Sequence, residues 1–142
     1  MRQLLYVSNA NRSFDQSDLD QILNAARANN GLHDVTGMLL FLDGAFMQVL
    51  EGPPEEVGTI YNKILQDDRH WGAHVLLDRD APRSFADWTM GFERLHPRDD
   101  ERAFSLDQAT LTFRLPPDIA LDVATLVSTF YQIHKGAVFA GL

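Results

Sequence analysis

Tyr6 in "QLLYV" and Gln48 in "GAFMQVLEG" are polar side chains set inside otherwise apolar runs. A phenol is both donor and acceptor and stays neutral below about pH 10, while a primary amide offers a carbonyl and an NH2, so the two can exchange hydrogen bonds in more than one arrangement. Burying such a group without partners costs on the order of 1–3 kcal/mol. Two-residue alternation places Leu4, Tyr6 and Ser8 on one face of one strand, and Phe46, Gln48 and Leu50 on one face of another. Two readings stay open at this level: a static Tyr–Gln bond in a core, and a hydrogen-bond switch. Asn30, at the end of a helix, serves either as a C-cap or as a polar group facing the cleft between helices.

Other chemistries lack their residues. His70 and His74 stand four apart with a glycine between them and no third ligand, so no metal site is expected; His33 and His134 are lone residues. There is no Gly-rich phosphate loop and no Gly-x-Ser-x-Gly elbow. Cysteine is absent, which removes disulfides, thiolate nucleophiles and any cofactor adduct through sulfur. Twelve basic against twenty acidic residues give a net charge of −8 with no Lys/Arg cluster, so nucleic acid is not an expected partner. No apolar run approaches the length of a membrane span, and "MRQLLYVSNA" lacks the features of a signal peptide, so a cytoplasmic location is expected.

The elements that must hold Tyr6 and Gln48 follow from periodicity. With 142 residues, 45% of them hydrophobic, the chain suits one soluble domain with a real core and little room for a second folded unit. Gln3–Val7 reads as a first strand, followed by a helix from Ser17 or Asp18 that stops at Asn29-Asn30-Gly31. Two apolar runs joined by Asp43-Gly44 form a hairpin. Pro53-Pro54-Glu55-Glu56 then opens a second helix with a stripe of Val57, Ile60, Tyr61, Ile64 and Leu65. Ala73–Leu77 and Trp88–Leu95 read as further strands. The order β-α-β-β-α-β-β predicts an α+β, ferredoxin-like sandwich with both helices on one face and the first strand beside the one holding Gln48. Beyond a polar connector at "HPRDDERAF" and a segment of undecided state at 106–115, a last helix with the stripe Ile119, Val123, Leu126, Val127, Phe130 and Tyr131 ends at Lys135-Gly136. Residues 1–95 are thus expected to form one domain and residues 96–142 a helical extension on the open sheet face, which would otherwise expose an apolar patch.

Five pieces, "LLYVSNA", "NNGLHDVTGMLLF", "GAFMQVLEGP", "ILQDDRH" and "SFADWTMGF", occur in the order and spacing of one family. The chain from Gln3 to about Leu95 resembles the BLUF family, blue-light sensors that use FAD. The resemblance implies that Tyr6 is the electron-donating tyrosine, that Gln48 lies between it and the flavin, and that Asn30, with Asn29 beside it, serves the flavin's pyrimidine edge. It implies that Ile22, Phe46 and Ile64 pack on the ring, and that Lys63, Asp67, Arg69 and His70 contact the ribityl chain and phosphates. Trp88 and Met90 match a Trp-x-Met pair linked to signal output, and Ser8 a small polar residue near Tyr6 and Trp88. The implied cofactor is FAD, with FMN or riboflavin as alternatives, held without a covalent bond. Tyr6 would give an electron and, through Gln48, a proton to the excited flavin; on return the Gln48 amide would be rotated or tautomerised, shifting the absorption to the red.

"DDRH" replaces the commoner "DPRH", and His33 and Asp34 fall in a variable part of the second piece. The resemblance implies a short sensor that is not an enzyme, signals in trans to an effector protein and self-associates as a homo-oligomer. A different class of function on the same fold is a small-ligand regulatory module without photochemistry, which would be colourless. An acylphosphatase-like enzyme would need an anion loop after the first strand, for which Arg12 is the sole candidate.

Overall fold

The computed structural model describes residues 1–42, 44–86, 91–94 and 120–140. Its elements are β1 (Arg2–Ala10), α1 (Gln16–Leu32), β2 (Thr36–Leu42), β3 (Ala45–Gly52), α2 (Pro54–Leu65), β4 (His70–Asp80), β5 (Gly91–Arg94) and α3 (Leu121–Ala140). The strands form one sheet in the order β4-β1-β3-β2-β5. The first four pair antiparallel, and β5 joins β2 in parallel. This is the α+β, ferredoxin-like arrangement expected from the element order.

The β2–β3 pairing runs from Thr36↔Glu51 to Leu42↔Ala45, and Gly44 between them has a φ of 77°, where a Cβ would be strained. That hairpin sets Leu39 opposite Gln48, and β1 in turn sets Tyr6 opposite Gln48. All eight residues of β3 are buried, as a central strand covered on both faces requires.

One face packs Leu4, Tyr6, Leu39, Phe46 and Leu50 against Leu19 and Leu23 of α1 and Val57 and Ile60 of α2. The opposite face packs Leu5, Met38, Leu40, Met47 and Val49 with Phe85 and with Val123, Val127 and Phe130 of α3.

Several boundaries differ from the sequence expectation. Helix α1 begins at Gln16, one or two residues before Ser17 or Asp18, because Asp15 accepts from the Asp18 amide (2.8 Å) while the Asp18 carboxylate accepts from the Asp15 amide (3.1 Å), a reciprocal capping box. It passes through Gly31 and ends at Leu32. The reversal comes instead at Asp34, whose φ is 54°, with the Asn30 carbonyl accepting from the amides of His33 (3.2 Å) and Val35 (2.9 Å). Helix α3 likewise runs past Gly136 to Ala140; an internal glycine costs about 1 kcal/mol but leaves the helix hydrogen bonds intact, and Ala-Val-Phe-Ala continues it. Leu65, at the last position of α2, is exposed rather than part of the buried stripe. Strand β4 extends well beyond Ala73–Leu77 on both sides. Of the strand expected over Trp88–Leu95, Gly91–Arg94 is seen, while Trp88, Met90 and Leu95 lie outside the described residues, as do 106–115 and Ile119.

Candidate functional site

Tyr6 and Gln48 meet at the centre of the sheet, beneath α1 and α2. Both are buried, at 3% and 4% exposure, and the Tyr6 hydroxyl donates a hydrogen bond to Gln48 Oε1. Burial pushes the Tyr6 phenol above its ordinary value of 10.0, with the neighbouring Tyr61 and Asp67 acting in the same direction. The phenol is therefore neutral across the physiological range. The Tyr61 ring from α2 leans on it, with centroids 5.3 Å apart.

The pair forms the floor of a cleft of about 740 Å³, counted out to solvent at its mouth. Such a volume is within the range of small-molecule sites. Its walls are apolar: Ile22 from α1, Ile60 and Ile64 from α2, Leu39 and Phe46 from the sheet. Phe46 is fixed from behind by Phe41 (4.8 Å between centroids) and Phe14 (5.7 Å).

Three buried polar atoms in this cleft have no hydrogen-bond partner among the described residues: Ser8 Oγ, Asn30 Nδ2 and His70 Nδ1. Native interiors rarely leave such atoms unpaired, so a cluster of three around one cleft marks a place where a polar molecule belongs. His70 is oriented by its other ring nitrogen, which lies 2.6 Å from the Ile64 carbonyl oxygen and so must donate there. The Asn30 side chain is not the C-cap; the Asn30 backbone carbonyl does that work, leaving the amide NH2 for the cleft.

The mouth is charged. Arg69 holds Asp67 through Nε (2.9 and 3.1 Å) and Nη2 (2.5 Å), and its backbone amide adds a further bond at 2.9 Å. The guanidinium keeps the Asp67 carboxyl below the usual carboxylate range. Asn11 ties the β1–α1 loop to this corner, donating from its side chain to the Asp68 carbonyl and from its backbone to the Arg69 carbonyl (3.1 Å). Lys63, also on the lip, has no ion-pair partner among the described residues and is exposed. A ligand that fits this set has a flat apolar body, polar edges and an anionic tail.

The structure brings the residues singled out in the sequence into one place. Tyr6, Ser8, Ile22, Asn29, Asn30 and Phe46 line the cleft, and so do Gln48, Lys63, Ile64, Asp67, Arg69 and His70. Trp88 and Met90 lie outside the described residues. Four further lining residues, Ala25, Ala26, Leu39 and Ile60, are not among those the sequence assigns to the site, although Ile60 is placed on a buried helix face. Their signals were present, since Ala25 and Ala26 follow Ile22 at helical spacing, Ile60 precedes Ile64 by one turn, and the hairpin register places Leu39 across from Gln48. His33, assigned no chemistry, contacts Glu56 of α2 through Nδ1. Among the described residues there is no group of three His, Cys, Asp or Glu that could hold a metal, and no helix long and apolar enough to cross a membrane.

The model of a protein family described as BLUF, sensors of blue-light using FAD, matches residues 1–91. The chain is 38% identical over 142 residues to the blue light- and temperature-regulated antirepressor BluF of Escherichia coli (strain K12), covering 92% of this chain and 35% of that protein. It spans about a third or less of the length of the curated relatives it matches. Among solved structures it is similar to BlrB, a BLUF protein in its dark state, with a TM-score of 0.67 and 27% identity over 90% of this chain and 95% of that one. Klebsiella pneumoniae BlrP1 with FMN and cyclic diGMP superposes with a TM-score of 0.74 and 27% identity, over 91% of this chain and 34% of that one.

Proposed function

The chain belongs to the BLUF family of blue-light sensors, and we propose that it binds a flavin non-covalently between α1 and α2 and reads light through Tyr6 and Gln48. The observation that carries this is the buried Tyr6–Gln48 hydrogen bond at the floor of a cleft ringed by three unpartnered polar atoms. Those atoms fit a flavin. The Asn30 NH2 is a donor suited to a pyrimidine carbonyl; His70 Nδ1, an acceptor when Nε2 donates to Ile64, suits a hydroxyl, and Ser8 Oγ a hydroxyl or a ring nitrogen. Ile22, Phe46 and Ile64 would hold the ring by dispersion, with Asn29 beside Asn30 on the pyrimidine edge. Lys63, and Arg69 as oriented by Asp67, would serve the ribityl chain and phosphates of FAD or FMN.

A bound flavin supplies blue-light absorption and, once excited, an electron-accepting ring. Tyr6 is the electron donor. A neutral phenol that loses an electron becomes a strong acid, and in this structure its proton already lies on a bond to Gln48 Oε1. Gln48 takes that proton at Oε1 and passes one on from its amide nitrogen, and when an electron and a proton return Tyr6 is a neutral phenol again, so no atom or charge is lost. What persists is the side-chain state of Gln48: an amide turned over, or its tautomer, has nearly the same shape but presents its donors and acceptor differently. The strand carrying Gln48 is packed on both faces, so the change is felt beyond the cleft.

The output we assign is a change of surface felt by a partner protein in trans, delivered through residues 96–142 as a helical extension of a sensor domain spanning 1–95. Ser8, Trp88 and Met90 are the assigned output residues. The E. coli relative is an antirepressor regulated by blue light, which supports control of another protein over catalysis by this chain. A homo-oligomeric form is part of the same proposal.

The test is the visible spectrum of the purified, FAD-reconstituted protein before and after blue light, repeated on Tyr6→Phe and Gln48→Ala. A flavin band that moves to the red, recovers in the dark and stays fixed in both variants supports the assignment. A colourless protein that takes up no flavin overturns it, and a normal shift in Tyr6→Phe removes Tyr6 from the mechanism.

A further inference from the structure

Glu51 stands three residues beyond Gln48 on β3, yet it faces the opposite side of the sheet, where it is fully buried. Its carboxylate accepts from the Gln3 side-chain amide (2.6 Å), from the Ser84 backbone amide (2.9 and 3.0 Å) and from the Phe85 backbone amide (2.7 Å). The strand registers set Thr36, Glu51, Gln3 and Arg79 side by side, one residue on each of β2, β3, β1 and β4. Together they make a polar row that crosses four strands. Arg79 donates through Nε to Gln3 Oε1 (3.0 Å), and its two terminal nitrogens both reach the Asp122 carboxylate in the first turn of α3. At the other end Arg83 donates to Thr36 Oγ1 (2.8 Å) and to the Asp34 carbonyl (2.8 Å).

We propose that this row is a signal relay in which Glu51 is the positioning residue, coupling movement of the Gln48 strand to the 84–85 segment and, through Gln3 and Arg79, to the start of α3. The inference rests on the photosensor reading above. Its physical basis is the absence of slack: Glu51 is held by short bonds to two backbone amides and one side-chain amide, all buried, so β3 cannot shift or twist at this point without carrying its partners or breaking the bonds. Gln3 is fixed in one orientation by its two neighbours, because its oxygen must accept from Arg79 and its NH2 must donate to Glu51. The row therefore passes displacement in a fixed sense, and both attachments lie off the cleft. Phe85, fully buried with Val123, Val127 and Phe130, gives the 84–85 segment its own contact with the face under α3.

The relay is tested by hydrogen–deuterium exchange, light minus dark, on the FAD-reconstituted full chain. Arg79→Gln removes the link while leaving in place the bond that Asp122 accepts from the Val123 amide (2.8 Å), and Asp122→Ala removes the link together with that bond. Thr125→Ala, in the same turn and outside the row, is the control. The expected result is a light-dependent change at residues 121–130 that falls at least threefold in Asp122→Ala and in Arg79→Gln and not further in the double variant. The flavin red shift and dark recovery stay as in the unaltered protein, and Thr125→Ala keeps the full exchange change. A full light-dependent change at α3 in both single variants, with a normal red shift, overturns the relay, as does the lack of any such change in the unaltered protein when its red shift is present. A missing red shift in the unaltered protein overturns the photosensor reading itself and the relay with it.

Discussion

Replacing Glu51 by glutamine changes one oxygen into an NH2 and nothing in size, so its cost can be worked from the four contacts. Oε1 serves the Phe85 amide alone and shares the Ser84 amide, while Oε2 serves the Gln3 NH2 and takes the other share of Ser84. A glutamine oxygen can occupy one of these positions only. If it keeps Phe85 and Ser84, its new NH2 points at the NH2 of Gln3; turning Gln3 over would relieve that clash but set its NH2 against Arg79 Nε. No arrangement of the two amides satisfies all the donors. One buried donor is left unpaired, at about 1–3 kcal/mol, and the bonds that remain lose the assistance of a charged acceptor. We expect a loss of about 2–3 kcal/mol in urea denaturation, or a fall in Tm of about 8–12 °C for a chain of this size. A Gln3→Met background removes the conflict, so Glu51→Gln should cost about 1 kcal/mol less there. A loss below about 0.5 kcal/mol in the unaltered background would refute the count of buried bonds on which the row is built.

Two further outcomes are expected. Lys63→Ala should weaken binding of FMN or FAD a few-fold, as befits an exposed charge, and leave riboflavin unchanged; equal losses for riboflavin and FMN, by fluorescence titration, would remove Lys63 from the phosphate end. Asp67, Asp78 and Asp122 are held below their ordinary value of 3.8 chiefly by hydrogen bonds from Arg69, Arg2 and Arg79 respectively. A lowered folded value means that their stabilisation is fully present above the unfolded value and is lost as pH falls through the folded one, so urea midpoints should hold level from pH 7 to 5 and drop below about pH 4. Asp67→Asn should flatten that drop in part; an unchanged acid profile would show that the Arg69 pairing does not persist in solution.

How far the site was legible depends on whether a residue's partners are local. Tyr6 and Gln48 could be found because each interrupts an apolar alternation, and the Asp43-Gly44 turn fixes which β2 residue lies opposite Gln48. Local signals put the α1 stop at Asn29-Asn30-Gly31, glycine being the usual terminator, whereas the chain reverses at an aspartate that Arg83, far along the sequence, pairs with at 3.1 Å. Leu65 fitted the stripe of α2 by period, but it lies at the last position of the helix and turns out into solvent.

The sequence by itself determined the element types, the order that makes a ferredoxin-like sheet, and the residue types at the cleft, since periodicity and turn chemistry are properties of neighbours along the chain. Glu51 shows what it did not determine. Beside Gly52 and two prolines, a glutamate at a strand end reads as a solvated charge; it is buried because a segment more than thirty residues later brings two backbone amides to it and β1 brings Gln3. The same holds for the unpartnered atoms of Ser8, Asn30 and His70, which come from β1, α1 and β4 and form one set only when the sheet and helices close around them. Burial and hydrogen-bond satisfaction are decided by which distant groups arrive, and no local pattern encodes that arrival.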